Sequence, residues 1–549
     1  MRKLAIRTVP LAALAMVGLG ACGDSPVPVP VVACGPGTQQ SGLQCLPSAD
    51  PPLQPGHYTS PLVQLQRLQG DQGHMHIAQV KYRESDARLF YCSYTFGVID
   101  AANPQDMDYL AQGLRHVTDS GSPRTPGCLH LAWDDDNPDL VYTSHRGNID
   151  FAVFLSGWDL QSDPADPGSL DPVQLPALQE PGESYGGLDV ENGLIYVALH
   201  ANGLGIYDYD AVNGFTRVGT ASGLENAWSV VVRGNTAFVA DGIGGLATVD
   251  VTDPMQPVFM SRAAFGGNAE DLDVDGDTAY VAAGSAGLVL VDVSDPSKPA
   301  AVGSVDTPGS AVSVDYSDGR AYVAAWNDVR VYDVADRASP SFIGAVRLET
   351  ELDHEKCEGD PEVCVPDDSR PDATARTLAV AAHGDSVFIG NWWVPFSYQL
   401  HPDRLAPNIV LPEDYALVDF GPTGAAETST VDFEVENHGT APLTLFDNWT
   451  DNEAFTVTPT QVLIEPGGSA VLTLTYTAST SAMETAHLQL WTDDPQQPIR
   501  EAYLVGNQTG LGPGRPMPDT VATLLDGSTW SSAQAQEGQV MMLSYFATF

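Results

Sequence analysis

The sequence predicts an all-β protein, and two observations carry that prediction. From Ser184 to Ala345 one pattern is written out four times: an alternating strand ending in an aromatic residue and Val-Ala, a turn, then a second apolar strand closing on Asp. Tyr196, Phe238, Tyr280 and Tyr322 hold the aromatic position at intervals of 42, and the closing acids Asp208, Asp250, Asp292 and Asp333 keep that step to within one residue. A fixed period with only β-type pattern inside it marks a repeat array, because one unit cannot bury both faces of its own sheet. Past Leu405 the period stops, and short alternating strands separated by turn clusters take over. That is the pattern of a sandwich.

In the third of the four copies, Glu270–Val274 reads as an inner strand, Asp275-Gly276-Asp277 as a tight hairpin turn, Thr278–Ala283 as the second strand and Leu288–Val293 as the third. Pro296 then stops pairing, and Pro299 opens an outer edge strand, where a missing N–H is tolerated. Four antiparallel strands in about 40 residues make the blade of a β-propeller. Leu288-Val289-Leu290-Val291-Asp292 resembles the signature pentapeptide of the LVIVD repeat family of bacterial propellers, differing only in Leu at the third place. The resemblance implies the fold and brings no catalytic residues.

The rest of the chain is read in order. Residues 1–22 have the form of a secretory signal, with Arg2, Lys3 and Arg7 before the apolar run Leu11–Leu19, which is too short to span a membrane. Leu19-Gly20-Ala21-Cys22 resembles a bacterial lipobox, which implies a lipid on Cys22 and a membrane anchor; Gly23 rather than Asp follows, which points to the outer membrane, on its periplasmic or surface-exposed side. Residues 23–55 are proline-rich and read as an extended, semi-rigid tether. Six further cysteines, an even number in an exported chain, suggest disulfides. Local pairing gives Cys34 with Cys45, Cys92 with Cys128, and Cys357 with Cys364, Cys92 being alternatively a buried thiol within its strand.

Residues 56–405 carry the propeller. Leu89–Asp100 marks a first blade, Leu129–Tyr142 opens a second, the four copies form the third to sixth, and Leu378–Trp393 supplies inner strands of a seventh that lacks its own outer strand. Pro61–Arg67 resembles the outer-strand segments and is expected to complete that last blade, closing the ring and removing two exposed edges. About seven blades follow, with six the competing count. The acidic insertion 349–376 maps to a loop on one face.

Residues 406–508, through Val431–Leu443, Ile464–Ser469 and Val471–Tyr476, are similar to the Hydin (ASH) type of immunoglobulin-like domain, a β-sandwich whose implied role is spacing or protein contact. Residues 511–549 resemble the opening of a redoxin of the thioredoxin superfamily, up to Phe546-Ala547-Thr548-Phe549, after which that family carries its Cys-x-x-Cys helix. The segment is expected to be a truncated, thioredoxin-like stub.

The formal net charge of −47, from 24 basic and 71 acidic side chains, repels nucleic acid and excludes it as a partner. It suits an extracytoplasmic solvent, with cation uptake as the alternative. His74, His76 and His130 fall where the inner strands of the first two blades begin, so they could converge on a metal at the channel mouth. Against this, no Asp or His set with catalytic spacing accompanies them, and polar channel linings are ordinary. Asp273–Asp277 and Asp134–Asn137 could hold Ca²⁺ or another divalent cation, yet neither completes an EF-hand loop and both read as hairpin turns. Trp392-Trp393 reads as wall packing. There is no nucleophile elbow, phosphate-binding loop or zinc motif, and hence no catalytic assignment. The expected function is a lipid-anchored, exported binding scaffold whose propeller presents a protein, glycan or small-molecule site. The alternative is an envelope thiol-disulfide oxidoreductase or peroxidase whose Cys-x-x-Cys lies beyond Phe549; a third reading, a propeller hydrolase or metal-dependent enzyme, requires a metal at the channel mouth.

Overall fold

The computed structural model describes residues 55–348 and 377–507 with short internal gaps, together with Leu53 and two separate strand pairs within 38–47 and 521–531. Residues 1–37, the insertion 349–376 and most of 511–549 lie outside the described residues.

Seven four-stranded antiparallel sheets follow one another from Leu62 to Leu400. The first six are contiguous in sequence, and the fifth shows the plan: Asp271–Asp275 inside, then Thr278–Ala282, Leu288–Asp292 and the outer Ala300–Val305. The seventh takes Thr377–His383, Ser386–Asn391 and Pro395–Leu400 from one part of the chain and its outer strand, Leu62–Arg67, from the other end. Leu62 stands opposite Leu400 and Arg67 opposite Phe396. Each inner strand packs beside that of the next sheet, the last beside the first. Seven buried apolar clusters fill the spaces between successive sheets, from Phe90, Phe96, Leu131 and Trp158 between the first two to Ile77, Leu89, Ala381 and Phe388 between the seventh and first. This is a β-propeller, in which face-to-face packing of twisted sheets supplies what no single sheet can.

The repeated residues have physical reasons. Each closing acid caps its strand with an Asx turn: Asp250, Asp292 and Asp333 accept the N–H of Thr252, Ser294 and Ala335, each at 2.9 Å. A β-bulge recurs at Thr248/Val249, Leu290/Val291 and Val331/Tyr332, against the outer strand in each case. Bulges add twist, which lets flat alternating segments become wedges of a ring.

The second unit packs the sheet containing Thr428–Asn437 and Ser469–Thr477 on the sheet containing Leu443–Thr450, Glu484–Thr492 and Ile499–Gly506. Phe433, Leu445, Phe455, Leu474, Leu490 and Leu504 form its core, as alternation predicts for an immunoglobulin-like sandwich.

The segment preceding the ring, read from the sequence as a semi-rigid tether, makes contacts with the sandwich. Thr38–Ser41 pairs with Gln44–Pro47 and lies against Leu443–Thr450 of the sandwich. The N–H of Leu53 donates to Gln461 Oε1 and that of Gly56 to Asp493 Oδ2, both at 2.7 Å. Proline removes donors but leaves the remaining amides needing acceptors, and the sandwich side chains supply them. Sandwich and ring also touch: Gln496 Nε2 donates to Ser60 Oγ at 2.5 Å, and Arg330 Nη2 to Asn408 Oδ1 at 3.2 Å.

Candidate functional site

The register of the repeat defines levels of the central channel. Opposite the aromatic position of the second strand stand Lys81, Ala132, Asp189, Val231, Asp273, Asp315 and Ala381, one from each sheet. Two residues earlier, Gln79, His130, Ser229, Asp271 and Ser313 stand at the next level. The inner strand is a sheet edge, so alternate N–H groups point away from its own ladder. Side chains of the preceding sheet accept them. Val232 N–H donates to Asp189 Oδ2 at 2.7 Å, Val314 N–H to Asp271 Oδ2 at 3.2 Å, Tyr316 N–H to Asp273 Oδ2 at 3.0 Å and Ala382 N–H to Asp315 Oδ2 at 2.6 Å. Gln79 Oε1 does the same for Leu131 N–H at 2.7 Å. The channel acids thus lace one sheet to the next.

Their electrostatics follow from that position. Burial raises the pKa of Asp271 and Asp273, opposed by the hydrogen bonds they accept and by Lys81. Asp315 is pushed well above the usual range by burial and then by Asp273 and Asp271, with Ala382 N–H and Lys81 opposing. Lys81 is the counter-charge common to all three.

His130 lies at the upper channel level, and burial, with Lys81 and His200 adding repulsion, lowers its pKa to about 3. The ring is neutral at physiological pH, and its buried Nδ1 has no hydrogen-bond partner among the described residues. His74 and His76 lie outside the described residues, as do Trp392 and Trp393. Among the described residues no three His, Cys, Asp or Glu side chains are placed to hold a metal. Asp273 faces the channel, while Asp275 and Thr278 close the turn of Gly276, whose φ is +52°. Asp134 accepts Asp136 N–H at 3.0 Å, and Trp133 Nε1 donates to Asp135 Oδ1 at 3.0 Å, inside the second hairpin.

Cys92, on the second strand of the first sheet, and Cys128, on the inner strand of the second, are joined by a disulfide with a Cα–Cα distance of 4.9 Å. Both are buried. Cys22, Cys34, Cys357 and Cys364 lie outside the described residues; Cys45 falls within Gln44–Pro47.

A feature that strand alternation does not reveal appears on the upper face, where second strands pass to third strands and outer strands to the next sheet. Four residues after each aromatic stand His200, Gly242, Gly284 and Trp326, all left-handed with φ of +50°, +56°, +57° and +64°. Each forms the same isolated bridge to the next sheet, with Ala227, Ala269, Ala311 and Thr377. The four turns are alike, yet two carry glycine and two carry large side chains. His200 meets Trp228 edge-on at 4.8 Å between ring centres, and Ile243, next to Gly242, is 76% exposed.

Two family models agree with this architecture. The LVIVD repeat matches residues 225–264, 266–307 and 308–347. The HYDIN/CFA65/VesB-like Ig-like domain matches residues 410–506. No curated protein matches the chain. Among solved structures, the structure of U3-55K is similar with 12% identity over 61% of this chain and 98% of that one, at a TM-score of 0.44. The crystal structure of RRP9 WD40 repeats is similar with 13% identity over 63% and 99%, at a TM-score of 0.41. The chain is therefore similar to LVIVD-repeat proteins across part of its ring and to HYDIN-like Ig domains across its sandwich.

Proposed function

We propose that this chain is an exported binding scaffold, lipid-anchored through Cys22 at the outer membrane, whose seven sheets are the blades of one closed ring and whose upper face receives a protein partner. The observation that carries the reading is the pair His200 and Trp326. A non-glycine residue in the left-handed region costs roughly 1–2 kcal/mol, and Gly242 and Gly284 make the same turn and the same bridge without that cost. Side chains kept against strain in this way mark functional positions. Around them the face offers Trp228 and the exposed Ile243, the aromatic and aliphatic anchors that protein contacts use.

The test compares the natural chain with the His200→Gly, Trp326→Gly double variant, each immobilised and exposed to envelope extract from the source cell. A partner held by the natural chain and lost by a variant of equal or greater thermal stability supports the reading. The same partner held equally by both overturns it.

A second reading, a thiol-disulfide oxidoreductase with its Cys-x-x-Cys beyond Phe549, draws on the antiparallel pairing of Val521–Thr523 with Thr529–Ser531, the hairpin a redoxin opening requires. Intact mass and C-terminal peptide sequence of the natural protein decide it.

A further inference from the structure

A cleft of about 420 Å³ lies where the sandwich meets the fifth and sixth sheets. Its ring side is Asp306, Arg330, Tyr332 and Phe342; its sandwich side is Glu436, His438 and the turn Gly467–Ser469. The volume falls within the range of small-ligand sites.

The wall is built rather than incidental. Arg330 is only 2% exposed. Its Nε is held by Asp328 Oδ2 at 2.9 Å and its Nη2 by Asn408 Oδ1 at 3.2 Å, and the guanidinium lies over the Phe342 ring at 5.5 Å. Tyr332 meets Phe342 edge-on at 6.0 Å and directs its hydroxyl to Asp306 O at 3.4 Å. Across the cleft, His438 Nε2 lies 2.5 Å from Glu436 Oε2. Gly467, with a φ of +70°, has open space where a side chain would stand, so the turn leaves the mouth free.

From this lining we infer that the cleft binds an uncharged, polyhydroxylated ring: a neutral mono- or disaccharide. A cationic ligand would meet the guanidinium already seated on the aromatic face, and an anionic one would meet the carboxylates of Asp306 and Glu436. A sugar avoids both. Its hydroxyls donate to the carboxylates, its oxygens accept from Ser469, and its C–H face rests on the part of half-buried Phe342 that Arg330 leaves open. Because both units contribute, a bound sugar fixes the sandwich against the ring.

The test titrates the full chain by calorimetry with maltose, lactose and chitobiose, and with glucuronate and glucosamine as charged controls. The expected result is a neutral sugar binding with a Kd of about 1 mM or tighter, weakened at least about tenfold by Glu436→Gln. Ser469→Trp, at the exposed first position of its strand, should abolish binding by filling the mouth while leaving the melting temperature unchanged. The inference is overturned if no neutral sugar binds, if the charged controls bind better, or if Ser469→Trp binds as well as the natural chain.

Discussion

Asp447 is a carboxylate the sandwich holds at a cost, and removing its charge should stabilise the fold in a pH-dependent way. It stands on Leu443–Thr450 beside a bulge, opposite Trp491, 7% exposed, and its Oδ1 has no hydrogen-bond partner among the described residues. Burial alone raises its pKa from 3.8 to about 7. Because the folded chain binds that proton more tightly than the unfolded chain, stability is lost as pH rises from the unfolded value through the folded one and is recovered on acidification. At about 1.36 kcal/mol for each pH unit of displacement, the group costs at most about 4 kcal/mol well above neutrality, where it is ionised, and about 2 kcal/mol near pH 5, where the folded chain holds it protonated against an ionised unfolded chain. Asp447→Asn keeps the shape and removes the charge. Urea unfolding at about pH 8.5 and about pH 5, followed by near-UV circular dichroism, should show the variant more stable at both, with a gain larger by about 2–3 kcal/mol at the higher pH. An equal gain at the two pH values would mean that the carboxylate is not ionised at cost, and the reasoning fails.

Trp326→Gly should raise stability by about 1 kcal/mol in thermal unfolding, since it relieves a left-handed residue; a loss of that size would show the indole packs for stability. The same change at His200 should gain less, because its edge-on contact with Trp228 is given up. Gln496→Ala removes the hydrogen bonds to Ser60 Oγ and Leu62 O. It should cost about 1 kcal/mol and speed hydrogen exchange in Leu62–Arg67 and Pro395–Leu400; unchanged exchange would separate the sandwich from ring closure. Replacing Cys92 and Cys128 together by Ser opens a loop of 36 residues and should lower stability by about 4 kcal/mol in the chain-entropy account. Reduction of the natural chain should give a loss of similar size, and a negligible effect of either would refute that account.

The ring was legible because its determinants repeat. Aromatic, Val-Ala and closing Asp recur at 42 residues, and each does local work: ladder packing, strand alternation, an Asx turn. Pro61–Arg67 could be placed because its phrase matches outer strands elsewhere. What stayed hidden depends on neighbours in space. Asp189, Asp271 and Asp273 look like interruptions of apolar strands, yet each serves an amide 43 residues away on the adjoining sheet. His200 and Trp326 conceal a glycine register, since His signals positive φ only weakly and Trp not at all; the 42-residue step from Gly242 and Gly284 gives them away. The cleft at Arg330 needs two units folded and apposed, and no strand pattern encodes that. Proline composition suggested a semi-rigid tether but not its contacts: acceptors on Gln461 and Asp493, more than 400 residues downstream, take the amides of Leu53 and Gly56.

The strand that closes the ring is also the first strand of the ring reached by any force on the N-terminal end. A pull there passes through Leu53–Ser60, where the sandwich grips the backbone, before it reaches Leu62–Arg67. If the grip yields, the load falls on the hydrogen bonds between Leu62–Arg67 and Pro395–Leu400, residues more than 300 positions apart in the chain. The sandwich therefore works as a strain relief at the point where a cable enters its housing: tension on the segment before the ring is shed into a separate body before it can draw the closing strand out and open the circle.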